Sequence, residues 1–242
     1  MSGTDHQVGE GIVAANAGWS FGGQTAEVFG DHVRRSIPMY DEGHQIICGL
    51  SDFFIRDDSV VYEVGVSIGE LLGRLVERHT QRSSVQWVGI DIEEAMATRA
   101  RTNLAPLKAN ITIDTADIVL YELEKTDLVV SYYCLQFVPP KFRQIVIDRI
   151  YNALEWGGAF IWFEKVRGPD ARFQDIFSLM YTDFKLENNY TPEEIIGKSR
   201  SLKGILEPFS TNGNNELLQR AGFVDISTVF RYICFEGILA IK

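Results

Sequence analysis

Hydrophobic positions along this chain keep two alternating rhythms. Val60–Val64 (VVYEV) is a short β-branched apolar run closed by Gly65, the pattern of a buried strand. After Gly69, the segment ELLGRLVERH places Leu71, Leu72, Leu75 and Val76 at helical spacing, with basic residues toward its end. The alternation then repeats. VQWVGID (85–91) predicts a second strand, IEEAMATRARTNLAPL a second helix, and ITIDTAD (111–117) a third strand. DLVVSYYCLQF (127–137) predicts a fourth strand, KFRQIVIDRIYNAL (141–154) a helix, and AFIWFEK (159–165), behind Gly157-Gly158, a fifth strand. Helices are expected near 170–187 and 191–208. The second of these opens with Thr191 as cap, Pro192 in the first turn, and Glu193 and Glu194 facing the dipole. GFVDISTVF and YICFEGILAIK close the chain as an antiparallel hairpin.

Strands alternating with helices of this length imply parallel pairing. The expected fold is α/β and Rossmann-like: a mostly parallel sheet with helices on both faces and a C-terminal antiparallel hairpin. We expect one domain over residues 1–242. Within it, 1–58 forms an N-terminal helical cap, 59–166 the cofactor-binding core, 167–208 a helical cover, and 209–242 the closing segment and hairpin. A chain of 242 residues with 45% hydrophobic content can bury one sizeable core. No run of about 18 apolar residues exists to cross a bilayer, and the N-terminus, MSGTDHQVGEG, is too polar for a signal peptide. Cys48, Cys134 and Cys234 form no C-x-x-C pair, so we expect a cytoplasmic protein without disulfides or a metal site. With 33 acidic against 23 basic residues the net charge is −10, which disfavours direct contact with nucleic acid. Arg34-Arg35 is read as a solvated helix face. The expected partner is a small-molecule substrate, with no membrane, and the expected assembly is a homodimer.

Gly65-Val66-Ser67-Ile68-Gly69 matches the G-x-S-x-G pattern of a serine nucleophile elbow. A hydrolase of that kind needs an acid and then a histidine downstream of the serine. The histidines are His6, His32, His44 and His79, three of them upstream. His79 stands twelve residues beyond Ser67, roughly 18 Å along a helix. The serine is therefore not a nucleophile, and the glycines are expected to make a tight strand-to-helix turn that cradles a cofactor.

Asp91 ends the second strand about 20 residues beyond that turn, the place where an acid takes ribose hydroxyls. A pyrophosphate is a poor fit, because Glu63 precedes the turn and Glu70 stands where a third glycine is wanted. Carboxylates repel a diphosphate and favour a cation. A sulfonium with an amino-acid tail is such a cation. Glu63-x-Gly65-x-Ser67-x-Gly69, then Asp91, then Asp117 after the third strand, resembles the S-adenosylmethionine site of class I methyltransferases.

The resemblance narrows over longer stretches. GWSFGGQTAEVFGDHVRRSIPMY (18–40), EVGVSIG (63–69), GIDIEEAM (89–96), LVVSYYCLQFVPP (128–140), IYNALEWGGAFIWFEK (150–165) and DFKLENNYTPEEI (183–195) are similar to the bacterial carboxy-S-adenosylmethionine synthase family. That family has a class I methyltransferase fold and converts S-adenosylmethionine and prephenate into a carboxylated sulfonium used in wobble-uridine modification. The resemblance implies that Tyr40 reaches the ligand from the cap, with Gly65 and Ser67 at the methionine end. It implies Asp91 and Ile92 at the ribose, and Asp117 and Ile118 at the adenine.

Three departures bear on activity. The family's asparagine beside the sulfonium is matched by Tyr132, and its cysteine after the first glycine by Val66. The family's Lys-Arg-Ser step, whose arginine binds the product carboxylate, reads Lys198-Ser199-Arg200-Ser201 here. One helical residue rotates a side chain by about 100°, enough to turn Arg200 away. A carboxylate without its fork of donors is poorly held. We therefore expect methyl transfer from S-adenosylmethionine to a small molecule. The alternatives are synthesis of the carboxylated sulfonium, and cofactor binding without turnover. Catalytic candidates lie at the ends of strands four and five: Tyr132, Tyr133, Glu164 and Lys165. Tyr40 and Arg200 are the candidate substrate contacts.

Overall fold

The computed structural model describes residues 5–22 and 25–242. Residues 1–4 of the expected cap, and 23–24 within the 18–40 stretch, lie outside the described residues. In chain order the elements are β1 (His6–Gln7), β2 (Val13–Ala14), α1 (Thr25–Ser36), α2 (Tyr40–Ser51), β3 (Val60–Val64), α3 (Glu70–Arg78), β4 (Gln86–Asp91), α4 (Glu94–Leu104) and β5 (Asn110–Thr115). They continue with β6 (Thr126–Tyr132), a 3₁₀ turn (Leu135–Phe137), α5 (Pro140–Ala153), β7 (Leu154–Lys165), α6 (Ala171–Glu187), α7 (Pro192–Ser201), α8 (Thr211–Ala221), β8 (Asp225–Tyr232) and β9 (Phe235–Ile241).

β3 to β9 form one seven-stranded sheet in the order β5-β4-β3-β6-β7-β9-β8. β5 through β7 pair in parallel, and the β8–β9 hairpin adds antiparallel to β7. The strand order reverses between β3 and β6, so a crevice opens beyond their carboxyl ends. Because side chains alternate across a strand, the sheet carries a core on each face. Val61, Leu128, Val130 and Ile161 pack with Leu72, Leu75 and Ala97 of α3 and α4. Tyr62, Val129, Phe160 and Trp162 pack with Ile147, Ile150, Leu217 and Leu218 of α5 and α8.

Several expectations need correction. The fourth strand ends at Tyr132, because Tyr133 takes a left-handed conformation (φ 56°) and the chain turns into the 3₁₀ segment. Its apolar run hides that turn, having neither glycine nor proline. The N-terminal region is not wholly helical: β1 and β2 pair antiparallel ahead of α1, and β1 packs on α7. The third strand stops at Thr115, two residues short of Asp117. β7 begins at Leu154 rather than Ala159. The expected 191–208 helix ends at Ser201. The closing segment contains an unforeseen helix, α8, whose sequence TNGNNELLQRA is rich in poor helix formers. It forms because Ser210 caps its start, Gly222 (φ 119°) ends it, and Leu217 and Leu218 are buried.

Candidate active site

β3 delivers its last residues into the crevice through a sharp turn. Gly65 (φ 78°), Ser67 (φ 52°) and Gly69 (φ 84°) all adopt left-handed backbone, which lets the chain reverse between Val64 and α3. Gly65 also has no room for a larger residue, since a Cβ there would overlap the side chain of Cys134. Asp91 pins this turn from the end of β4: its carboxylate accepts from the Ser67 amide at 2.8 Å and the Glu93 amide at 3.0 Å. Ser67 Oγ contacts only Met96 Sδ, at 3.7 Å, among the described residues. With no base beside it, Ser67→Ala is expected to leave cofactor affinity within about threefold. A fluorophosphonate probe is expected to leave Ser67 unlabelled; labelling traced to it by peptide mass spectrometry contradicts the cradle role.

The crevice is an open cleft of about 1170 Å³, mouth included. Tyr40, Glu63, Gly65, Ser67, Asp91, Tyr132 and Tyr133 line it together. Glu63 carries the clearest demand for a ligand. It is 3% exposed, one carboxylate oxygen takes the Leu72 amide, and Oε2 is buried without any partner in the described chain. Burial, with Asp91 nearby, pushes its carboxyl well above the ordinary range. Burial likewise raises Asp91, against the pull of its backbone amides. A cation seated between them would supply what both lack.

Other expected residues stand elsewhere. Gly69 caps α3 and faces Leu104 rather than the cleft. Ile92 is 65% exposed beside Asp91. Ile118 is buried in the core on the α5 face. Asp117 holds its own turn by accepting from the Val119 amide at 2.9 Å. The Ala116 amide donates to the Asp91 carbonyl, which keeps the Asp117 segment beside the Asp91 end of the cleft. None of these four lines the cleft.

The catalytic candidates divide. Tyr132 donates its hydroxyl to the Tyr40 carbonyl at 2.6 Å, and burial pushes the pKa of its phenol well up, so it keeps its proton and is no base. Tyr133 faces the cleft with a hydroxyl that has no hydrogen-bond partner among the described residues. Glu164 is a correction. Successive strand residues face opposite ways, and Glu164 turns from the cleft to accept from Trp162 Nε1 (2.7 Å) and the Gln136 amide (3.1 Å). Its carboxyl, raised to about 8 by burial, braces the Tyr133 turn through Gln136, which donates to the Tyr133 carbonyl. Lys165, its neighbour, is the one that lines the cleft. Arg200 is also a correction: it and Ser199 are exposed on the outer face of α7, outside the cleft.

In their place α7 presents Lys198, which the sequence reading missed as a cleft residue. Its ammonium donates to His32 Nε2 at 2.8 Å, to Ser36 Oγ and to Tyr190 OH at 3.3 Å. His32 in turn binds Glu10 through Nδ1, and Arg35 binds the other Glu10 oxygen. Burial lowers His32 despite that carboxylate, consistent with a neutral ring accepting from Lys198. The legible signal was a lysine sharing the inner face of α7 with Ile195 and Ser201.

A family model for a methyltransferase domain matches residues 61–158. The carboxy-S-adenosyl-L-methionine synthase of Staphylococcus epidermidis is 36% identical over 225 residues, covering 93% of this chain and 97% of that protein. That of Sulfurimonas denitrificans is 32% identical, covering 93% and 94%. Among solved structures, an O-methyltransferase family protein from Burkholderia thailandensis superposes with a TM-score of 0.63 at 17% identity over 90% of this chain. Human N-acetylserotonin methyltransferase in complex with S-adenosylmethionine gives 0.56 at 16% over 93%. The chain spans 60% of each of those two solved chains, and the likeness shows a shared class I fold.

Proposed function

The chain belongs to the carboxy-S-adenosyl-L-methionine synthase family, and from that premise we propose that it is a member that transfers a methyl group from S-adenosylmethionine to a small-molecule acceptor. The cofactor fits the cleft on the chain's own terms. Glu63 Oε2 is a buried acceptor without a partner, suited to an ammonium. Asp91 keeps acceptor capacity beyond its two amides, suited to ribose hydroxyls. When bound, S-adenosylmethionine supplies a methyl carbon activated by the sulfonium. The protein's share of an in-line displacement is to orient the partners and keep the pocket dry. Tyr40 and Tyr132, with ring centroids 5.1 Å apart, wall the cleft where the cap meets β6. Ile92, Asp117 and Ile118 are retained in this reading as the flank for ribose and adenine, supported by Ile92 following β4 directly and by the Ala116 amide, which ties the segment after β5 to Asp91.

The observation that carries methyl transfer over carboxylation is the place of Arg200, on the outer face of α7 with no fork directed at the cleft. Incubation of the purified protein with S-adenosylmethionine and prephenate is expected to give no carboxylated sulfonium by mass spectrometry. Its appearance puts the synthase reading first. That second reading is favoured by 36% identity maintained along nearly the whole chain. The domain boundaries given above, a cytoplasmic location and a homodimer complete the proposal. No described helix is long and apolar enough to cross a membrane. Self-association is supported by an apolar face on α6, where Phe173, Ile176, Leu179 and Met180 are exposed, and sedimentation velocity reads it.

A further inference from the structure

A row of aromatic rings crosses the cleft. Tyr40, Tyr132, Tyr133, Phe235 and Tyr181 all line it, with successive ring centroids 5.1, 4.6, 5.7 and 5.3 Å apart. Tyr40 starts the row at the acidic end, where Glu70 and Glu63 are its charged neighbours. Past Phe235 the wall turns basic, with Lys165 and Lys185 against the Tyr181 ring. Tyr133 stands in the middle. The phenols on either side of it have partners, Tyr132 donating to the Tyr40 carbonyl at 2.6 Å and Tyr181 to the Ser36 carbonyl at 2.7 Å. The Tyr133 hydroxyl has none among the described residues, although the residue is only 6% exposed. A phenylalanine would pack the same ring against Tyr132, Phe163 and Phe235 without desolvating a hydroxyl. Packing therefore does not account for the oxygen.

The backbone makes the same demand. Left-handed conformation is uncommon for an aromatic residue and persists only where the surroundings impose it. At Tyr133 (φ 56°) it is held from both sides: the Tyr133 amide donates to the Phe163 carbonyl at 2.9 Å, and Gln136 Nε2 donates to the Tyr133 carbonyl at 3.0 Å. Gln136 is fixed in turn, its amide on Glu164 and its Oε1 accepting from the Lys165 amide at 2.9 Å. This bracing points one hydroxyl into the middle of the cleft.

We propose that the Tyr133 hydroxyl donates a hydrogen bond to the oxygen that receives the methyl group, and that the acceptor is a small phenol bound as its phenolate. The inference rests on the reading above that S-adenosylmethionine occupies the acidic end. It deepens that reading by naming the acceptor's chemical class. Burial pushes the Tyr133 phenol well up, so it keeps its proton and acts as a donor. The groups around it supply no base. Glu164 faces the other side of the sheet, the Cys234 thiol is pushed up by burial, and Tyr40, Tyr132 and Tyr181 are held protonated in the same way. An acceptor acidic enough to ionise, with a donor to steady its anion, needs no base. Its proton goes to buffer on binding. One lone pair of the phenolate oxygen takes the Tyr133 proton donor, and another forms the new O–C bond while the C–S bond breaks and its electron pair stays on sulfur. The aromatic row suits a planar ring beside that oxygen.

4-Nitrophenol and 4-nitroanisole test the contact, since they share a ring and only the first can ionise. With S-adenosylhomocysteine bound, the wild-type protein is expected to hold 4-nitrophenolate about tenfold more tightly than the neutral phenol, read from the phenolate absorbance of the bound probe across a pH titration. Tyr133→Phe is expected to erase that preference. Phenylalanine keeps the ring and its packing, so 4-nitroanisole and S-adenosylhomocysteine should bind the variant within about twofold of wild type. Absence of a phenolate preference in wild type, or an undiminished one in Tyr133→Phe, overturns the proposal. Loss of S-adenosylhomocysteine affinity in Tyr133→Phe also overturns it, because the hydroxyl then serves the cofactor. Failure of wild type to bind S-adenosylhomocysteine counts against the cofactor reading instead, and 4-nitrophenol titrated without it still judges the contact.

Discussion

Asp91→Ala is expected to weaken S-adenosylmethionine binding by at least tenfold, and up to a hundredfold, while the protein stays folded. Two effects add. Asp91 is placed to accept from the ribose hydroxyls, and a hydrogen bond to a charged acceptor contributes about 1.5–3 kcal/mol. The same carboxylate already takes the amides of Ser67 and Glu93, so its removal also loosens the turn that cradles the ligand. Asp91→Asn keeps one acceptor oxygen and should fall between wild type and alanine. Titration calorimetry reads the affinities, and circular dichroism confirms the fold. An alanine variant that binds as wild type does removes Asp91 from the site.

Glu63→Gln is expected to move affinity and stability in opposite directions. S-adenosylmethionine should bind about thirtyfold more weakly, on the order of 2 kcal/mol for a lost charge-assisted hydrogen bond. The ligand-free protein should become more stable at neutral pH. Burial raises the Glu63 carboxyl well above 4.5 in the folded state, so the native protein holds that proton more tightly than the unfolded chain. The group's stabilising contribution is therefore complete below about pH 4.5 and lost as pH rises through the folded value. Glutamine mimics the protonated form, so the variants should melt together at low pH and separate in glutamine's favour as pH increases. Cofactor binding should strengthen with pH in wild type, as the carboxylate forms, and stay flat in Glu63→Gln. Melting curves and titrations across pH 4.5–8.5 test both halves. A glutamine variant less stable at neutral pH shows Glu63 ionised and satisfied without ligand.

The acidic end of the cleft was legible in the sequence because each acid sits at or beside a strand end, and strand ends follow from apolar periodicity. Glu63 and Asp91 needed no tertiary information beyond parallel pairing. The basic wall was hidden for the opposite reason. Lys165, Lys185 and Lys198 come from β7, α6 and α7, and only their packing around Tyr181, Ser36 and His32 joins them. Between Glu164 and Lys165 the period-two rule allows only one to face the cleft. Trp162 Nε1 and the Gln136 amide decide which, and neither partner is visible as such in the chain. Tyr133 shows a related limit: an aromatic residue in left-handed backbone carries no signal of its turn, which is imposed by the brace of Gln136 and Glu164.

The contact between Tyr132 and the cap constrains how this sequence could have been reached. The Tyr132 hydroxyl lies against Gly43 of α2, and a Cβ at position 43 would overlap it. Tyrosine at 132 therefore requires glycine at 43, while glycine at 43 tolerates a smaller residue at 132. The pair is epistatic rather than additive. A relative carrying alanine or larger at 43 is therefore expected to carry a smaller residue at 132.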